Sequence, residues 1–226
     1  PHTRLSVTPE LTFLQYLAQQ PGGLTDAMFR NNPRQSVRSR NWFEVSWFLP
    51  AFTIEYQINE KTKLNSRSFG LIASRKSLGN LDRSNVMDLG KERDLIVGEF
   101  LNIGNETRLL HHFSIANQPA VFLTGVRIYR GITSARQGLG SASSQPAFQF
   151  LNPANLESSD YRFPNLNLAW FAEQIIPLGK SWTITPGIRF ENIQTFADGY
   201  YKQRVLDFAG NVIVDQKMPE QQSRVR

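Results

Sequence analysis

Residues Phe163 to Thr195 read FPNLNLAWFAEQIIPLGKSWTITPGIRFENIQT. Two alternating runs flank the turn Pro177-Leu178-Gly179-Lys180. In the first run Leu166, Leu168, Trp170, Ala172 and Ile176 are even-numbered, and Asn165, Asn167 and Glu173 are odd. In the second run Trp182, Ile184, Pro186, Ile188 and Phe190 are even, and Ser181, Thr183, Thr185, Gly187, Arg189 and Glu191 are odd. A strand sends successive side chains to opposite faces, so a period of two gives one apolar and one polar face. Each run is longer than the roughly 5–6 residues of an ordinary strand. Each also matches the roughly 9–11 residues that a tilted strand needs to cross a hydrocarbon layer. Taken alone, the hairpin suits a soluble sheet as well.

The same unit recurs. His2 to Val7 reads as the tail of a strand, Thr8-Pro9-Glu10 as a turn, and Leu11 to Gln20 as a second strand. A polar loop, Pro21 to Asn41, leads to the long aromatic strand Trp42 to Ile58. Before Pro50 its apolar residues are Phe43, Val45, Trp47 and Leu49; after it they are Phe52, Ile54, Tyr56 and Ile58, so a bulge is expected there. The turn Asn59 to Thr62 and a strand Lys63 to Ser74 follow, then a charged connection from Arg75 to Glu106. Strands Thr107 to Ile115 and Val121 to Arg130 flank a turn, Ala116 to Ala120. Gly131 to Arg162 is a further long connection, and Phe196 to Arg226 a last polar stretch.

Short turns thus alternate with long connections. Long structureless loops are uncommon in compact soluble domains. They are regular features of outer-membrane barrels, which have short periplasmic turns and long extracellular loops. Lipid satisfies no backbone N–H or C=O group, so strands in it must pair into a closed cylinder. The reading is an all-β, antiparallel transmembrane β-barrel section of about eight strands. The first strand would run inward and the last outward, and the chain stops at Gln221 to Arg226 with no closing strand. These features predict an internal section of a larger barrel.

Composition bounds the alternatives. The 226 residues are 40% hydrophobic and 12% aromatic, with 16 Phe, which excludes a fully disordered chain. The formal charge of +6 is mild and points to no nucleic-acid partner. With no Cys, disulfides, thiolate metal sites and Cys nucleophiles are excluded. No apolar run reaches the roughly 18 residues of a transmembrane helix, whereas a barrel hides its hydrophobicity in alternation. No G-x-S-x-G, H-E-x-x-H or P-loop motif occurs, and the chain does not read as an enzyme or as the holder of a cofactor.

The run QQPGGLTDAMF (19–29), followed by RSRNWFEV (38–45), resembles TonB-dependent outer-membrane receptors of the ferric dicitrate type. TGVRIYRG (124–131) and WTITPGIRFENI (182–193) are similar to barrel hairpins of the same family. The resemblance implies a barrel of about 22 strands. It further implies a plug domain that is absent from residues 1–226, energy delivered through TonB, and a ferric chelate as cargo. The implied location is the outer membrane of a Gram-negative bacterium, in contact with lipid and lipopolysaccharide. A small complete barrel with an adhesive or structural role and a soluble β-sandwich binding module are the other readings.

Candidate ligand contacts lie in the first long loop, where Arg30, Arg34, Arg38 and Arg40 face one acid, Asp26. Guanidinium groups bind carboxylates in bidentate fashion, which suits capture of a carboxylate-bearing chelate; a solvated surface is the plainer alternative. Parity places Arg127, Arg189 and Glu191 on a lumen face. Trp42, Trp47, Trp170 and Trp182 are candidates for membrane-interface girdles, with core packing as the alternative. His111 and His112 are neighbours on a strand and point apart, so they hold no ion together. Asp82, Asp88, Glu92, Asp94 and Glu99, mixed with Arg83, Lys91 and Arg93, read as a solvated loop.

Overall fold

The computed structural model describes residues 4–83, 85–179 and 181–226. Strands β1 (Leu5–Gln19), β2 (Trp42–Asn59), β3 (Thr62–Gly79), β4 (Arg93–Ile115), β5 (Gln118–Gly140), β6 (Ser159–Leu178), β7 (Trp182–Ile184), β8 (Gly187–Leu206) and β9 (Val212–Val225) are joined by one short helix, α1 (Asp26–Asn31). All pairs are antiparallel, in the order β1-β2-β3-β4-β5-β6-β8-β9, with β7 beside β6. This is a single layer of strands, so the two packed sheets of a β-sandwich are absent from the described residues.

The register assigns every side chain to a face. One row runs Val7, Ile54, Ser66, Thr107, Val126, Trp170, Phe190 across seven strands. Rows on the same face carry Leu11, Pro50 and Ile103, or Phe13, Phe48, Ile72, Leu101 and Ile132. Leu11 is 73% exposed, Ile103 66% and Phe190 60%. A face this apolar and this exposed exceeds what a water-soluble monomer presents. Trp170 and Phe190 stack on it at 5.8 Å. The opposite face carries Glu10, Arg67, Glu106, Arg127, Arg189 and Glu191.

The opening hairpin forms in a single register from Asp160 to Leu178. Pro186, which has no N–H, interrupts the second strand without shifting it, and its carbonyl accepts from Gln174 N at 3.0 Å. Lys180 of its turn lies outside the described residues. The turn at Asn59–Thr62 forms as expected, with Asn59 Oδ1 accepting from Lys61 N at 3.0 Å. Between β4 and β5 the turn is tighter than expected. Only Ala116 and Asn117 lie outside the ladder, with φ of 51° and 59°. Two left-handed residues match the right-handed twist of the flanking strands.

Several expectations are corrected. Thr8-Pro9-Glu10 is no turn: β1 runs through it, with Pro9 opposite Phe52. β1 pairs only with β2 among the described residues, and a strand with a free side tolerates a residue without an N–H. Nor does Pro50 bring a bulge. The β1–β2 register is uniform, and the β2–β3 register resumes unshifted at Ala51, the one shift lying at Gln57/Asn59. The apolar residues therefore change face along β2. Trp47 lies on the face of Arg67 and Arg127, opposite to Trp170, and so outside a lipid-facing girdle.

The connections are also shorter than expected. β4 and β5 each span 23 residues and take in most of 93–106 and 131–140, and 196–225 largely forms the end of β8 and all of β9. These parts lack clean alternation because 93–106 carries apolar residues on both faces (Leu95, Val97, Leu101 and Ile103 on one, Ile96 and Phe100 on the other) and 131–140 is mostly polar or small, yet the ladder closes regardless. The first loop holds α1, where Thr25 Oγ1 accepts from Met28 N at 3.3 Å and Asp26 and Arg30 match the ends of the helix dipole. A small core forms at the long-connection end, where Phe148 and Phe150 cover Leu78, Leu95 and Val97.

Candidate ligand-capture site and charged wall

The connections 20–41, 80–92 and 141–158 all leave the same end of the sheet. The first is pinned at Gly22, whose φ of 73° favours glycine, and the stem of Arg38 lies where a Cβ would stand, 2.5 Å away. Arg38 is 3% exposed. Its Nη1 donates to the carbonyls of Val37 and Val86 at 3.0 and 3.1 Å, and its Nη2 to those of Asp82 and Arg83 at 2.9 and 2.7 Å. Arg40 forms a two-point pair with Asp88 at 2.9 and 2.5 Å and donates to the carbonyls of Ala142 and Lys91. That pair holds the Asp88 carboxyl at about 2, chiefly through the Arg40 hydrogen bond.

The four candidate arginines thus divide. Arg38 and Arg40 are committed to joining loops. Arg30, in the last turn of α1, and Arg34 stand exposed on the surface. Between the first and second connections lies a hollow of about 490 Å³, lined by Met28, Val37, Val86 and Met87 together with Arg38, Arg40 and Asp88. Asp88 is therefore no solvated loop acid, and Glu99 lies in β4, paired with Arg136 at 3.1 Å.

Sequence reasoning missed Arg93. It is wholly buried at the first position of β4, and burial lowers its pKa. Its stretch, Lys91-Glu92-Arg93-Asp94, looks like any solvated charge run, and only the meeting of three connections above it makes it interior.

Arg127, Arg189 and Glu191 lie together on the charged face. With Tyr129, Asn165 and Asn167 they line a concavity of about 380 Å³ on the charged face. Arg189 donates to Glu191 at 3.0 and 3.2 Å, and Asn167 Nδ2 to the same carboxylate at 2.6 Å. Arg127 reaches Glu106 at 3.4 Å, and Arg108 pairs with that carboxylate as well. Arg67 forms a two-point pair with Glu10 at 2.8 Å. Arg127 lies over Phe69 at 5.6 Å and Arg189 over Phe171 at 5.5 Å, within cation–π range.

Of the tryptophans, Trp42 donates Nε1–H to Ser144 O at 2.7 Å and so helps to hold the third connection. Trp170 and Trp182 lie on the apolar face, the latter beside the short turn. His111 bonds Thr62 Oγ1 at 2.9 Å on the apolar face, while His112 is on the other.

No protein-family profile matches the chain. Among solved structures it is similar to the crystal structure of the ferric citrate transporter FecA in the unliganded form, with a TM-score of 0.69 and 22% identity. The likeness covers 96% of this chain and 30% of that one, so the chain spans less than a third of the length of the transporter it matches. At that identity the likeness establishes the fold alone: an all-β, antiparallel section of a β-barrel.

Proposed function

We propose that this chain is part of the β-barrel domain of a TonB-dependent transporter in the outer membrane of a Gram-negative bacterium. The cargo is a ferric chelate, ferric citrate or a siderophore-like complex. The observation that carries the reading is the two-faced sheet, apolar and exposed on one side and lined with ion pairs on the other. In a barrel the first side meets lipid and the second the lumen. The likeness to a ferric citrate transporter supports the choice of cargo.

Strand length fits this reading. A 23-residue strand is about 75 Å long, and the apolar band of such barrels is only about 25 Å tall. β4 and β5 therefore project well beyond the bilayer, where neither face needs to be apolar. Long connections at that end stand outside the cell, with lipopolysaccharide around them, and the short turns face the periplasm. TonB acts through parts of the protein beyond this chain, as does the plug.

Arg30 and Arg34 are the ligand-contacting arginines, because their guanidiniums are exposed while those of Arg38 and Arg40 hold carbonyls. Charge-assisted hydrogen bonds contribute about 1.5–3 kcal/mol each, so removing both groups weakens capture at least about a hundredfold. The test is uptake of radioactive iron by iron-starved cells that depend on the whole protein. Energy-dependent uptake is expected with a carboxylate chelate, with half-saturation raised at least about a hundredfold in Arg30→Gln/Arg34→Gln. Uptake equal to that of cells lacking the protein, for every chelate offered, overturns the transport reading. An unchanged half-saturation in the double variant overturns the site.

A further inference from the structure

Three arginines, Arg38, Arg40 and Arg93, join the long connections, largely through main-chain carbonyls, alongside Asn41 and Trp42. We propose that Arg93 is the positioning residue that unites these connections into one preformed plate, so that the hollow beside Arg38 and Arg40 exists before any ligand arrives. Arg93 is 0% exposed. Its Nη1 donates to Arg40 O at 2.7 Å, its Nε to Ser141 O at 2.9 Å and its Nη2 to Gln145 O at 2.8 Å. One planar group standing on a strand end therefore fixes the first connection and two points of the third.

Arg40, whose carbonyl Arg93 holds, passes the constraint on. It reaches the second connection through Asp88 and Lys91 O, and the third through Ala142 O at 2.6 Å. Among the described residues no carboxylate hydrogen-bonds to Arg93. Its hydrogen bonds run to carbonyl oxygens, a rigid fork of donors matched to fixed acceptors. Without it, three carbonyls at the centre of the plate lose their donor, and each costs more buried unpaired than hydrated. The favourable response is for water to enter and the connections to part together. Loops that closed one by one over a ligand would first have to break this set of bonds. The inference concerns the unliganded protein and does not depend on which ligand it takes.

Amide hydrogen exchange of the whole protein in detergent micelles, without ligand, tests it. In Arg93→Gln, exchange is expected to rise at least about tenfold in 36–41, 85–91 and 141–150 together, with the strand ladders unchanged. Arg93→Lys, which keeps the charge and three donors, restores part of the protection. Arg38→Gln loosens the first and second connections only. Faster exchange in Arg93→Gln confined to 141–150 overturns the proposal.

If Arg93→Gln fails to insert, spin labels provide the test with Arg93 intact. Residues 1–226 hold no Cys, so in the whole protein, with any Cys elsewhere replaced, Phe29→Cys and Leu151→Cys label two connections at exposed positions. A single narrow distance distribution is expected, and a broad or multiple distribution overturns the proposal.

Discussion

Adjacent residues Phe52 and Thr53 report opposite sides of the sheet, and one substitution placed at each separates lipid from lumen. Phe52 is 42% exposed and lies midway along the outward apolar run from Phe48 to Ile58, between Pro9 and Ser68 in the ladder. Thr53 faces Arg67, with a contact of 3.4 Å to its guanidinium, and stands near Glu10 and Glu55. A lysine on the lipid face of a barrel costs about 2–4 kcal/mol at mid-depth. That cost lowers the folded-to-unfolded ratio about 30- to 1,000-fold for Phe52→Lys. Thr53→Lys enters a wet, mixed-charge wall and changes stability by less than about 0.5 kcal/mol. The assay is denaturant titration of the protein in lipid vesicles, followed by tryptophan fluorescence and by heat-modified mobility. A Phe52→Lys variant as stable as the parent, or equal losses at the two positions, refutes the assignment of faces.

The remaining predictions concern single contacts. A Cβ at Gly125 would stand 2.5 Å from the Phe171 ring and 2.8 Å from the carbonyl of Thr107, so Gly125→Ala destabilises by about 1–3 kcal/mol in the same titration. Ala116 has a φ of 51°, where a side chain is strained, so Ala116→Gly stabilises by about 0.5–1 kcal/mol and raises the denaturant midpoint. Asp88 is held at about 2 against an ordinary 3.8, a difference of about 2 kcal/mol. A lowered carboxylate pKa stabilises above the ordinary value and is lost as pH falls through the lowered one. Proteolysis within 80–92 is therefore slow at pH 7 and rises between pH 4 and 2, and in Asp88→Asn that pH step disappears.

Much of the fold was legible because strands with one apolar and one polar face advertise themselves. The parity of Leu166, Leu168, Trp170, Ile188 and Phe190 gave the hairpin and its two faces but not its register: Pro177 and Leu178, read as turn residues, pair with Thr183 and Trp182. Where strands carry polar residues on both faces, parity gives no signal. The upper part of β5, and β9 with its run from Pro219 to Val225, therefore read as loops; the upper part of β4 did so because Leu95, Ile96, Val97 and Phe100 spread over both faces. Pro9 and Pro50 misled in the same way. A proline signals a break only where its missing donor would be needed, and here neither shifts the ladder.

The site was legible in part. Arg127, Arg189 and Glu191 were placed by parity alone, and the structure gathers them on one wall. The division of Arg30 and Arg34 from Arg38 and Arg40 depends on which carbonyls lie nearby after the connections converge, which sequence spacing does not encode. Arg93 was hidden for the same reason. Trp47 was given the wrong face because a bulge was expected beside it.

The central claim is that one face of this sheet meets lipid. The most direct measurement is a nitroxide scan of residues 51–58 in β2, one Cys at a time, with the protein in lipid vesicles. Collision rates with oxygen, which concentrates in lipid, are compared with those of a water-soluble nickel chelate. Oxygen maxima are expected at positions 52, 54, 56 and 58 and minima at 51, 53, 55 and 57, a period of two. Collision rates without that alternation, or oxygen maxima at the odd positions, would contradict the claim.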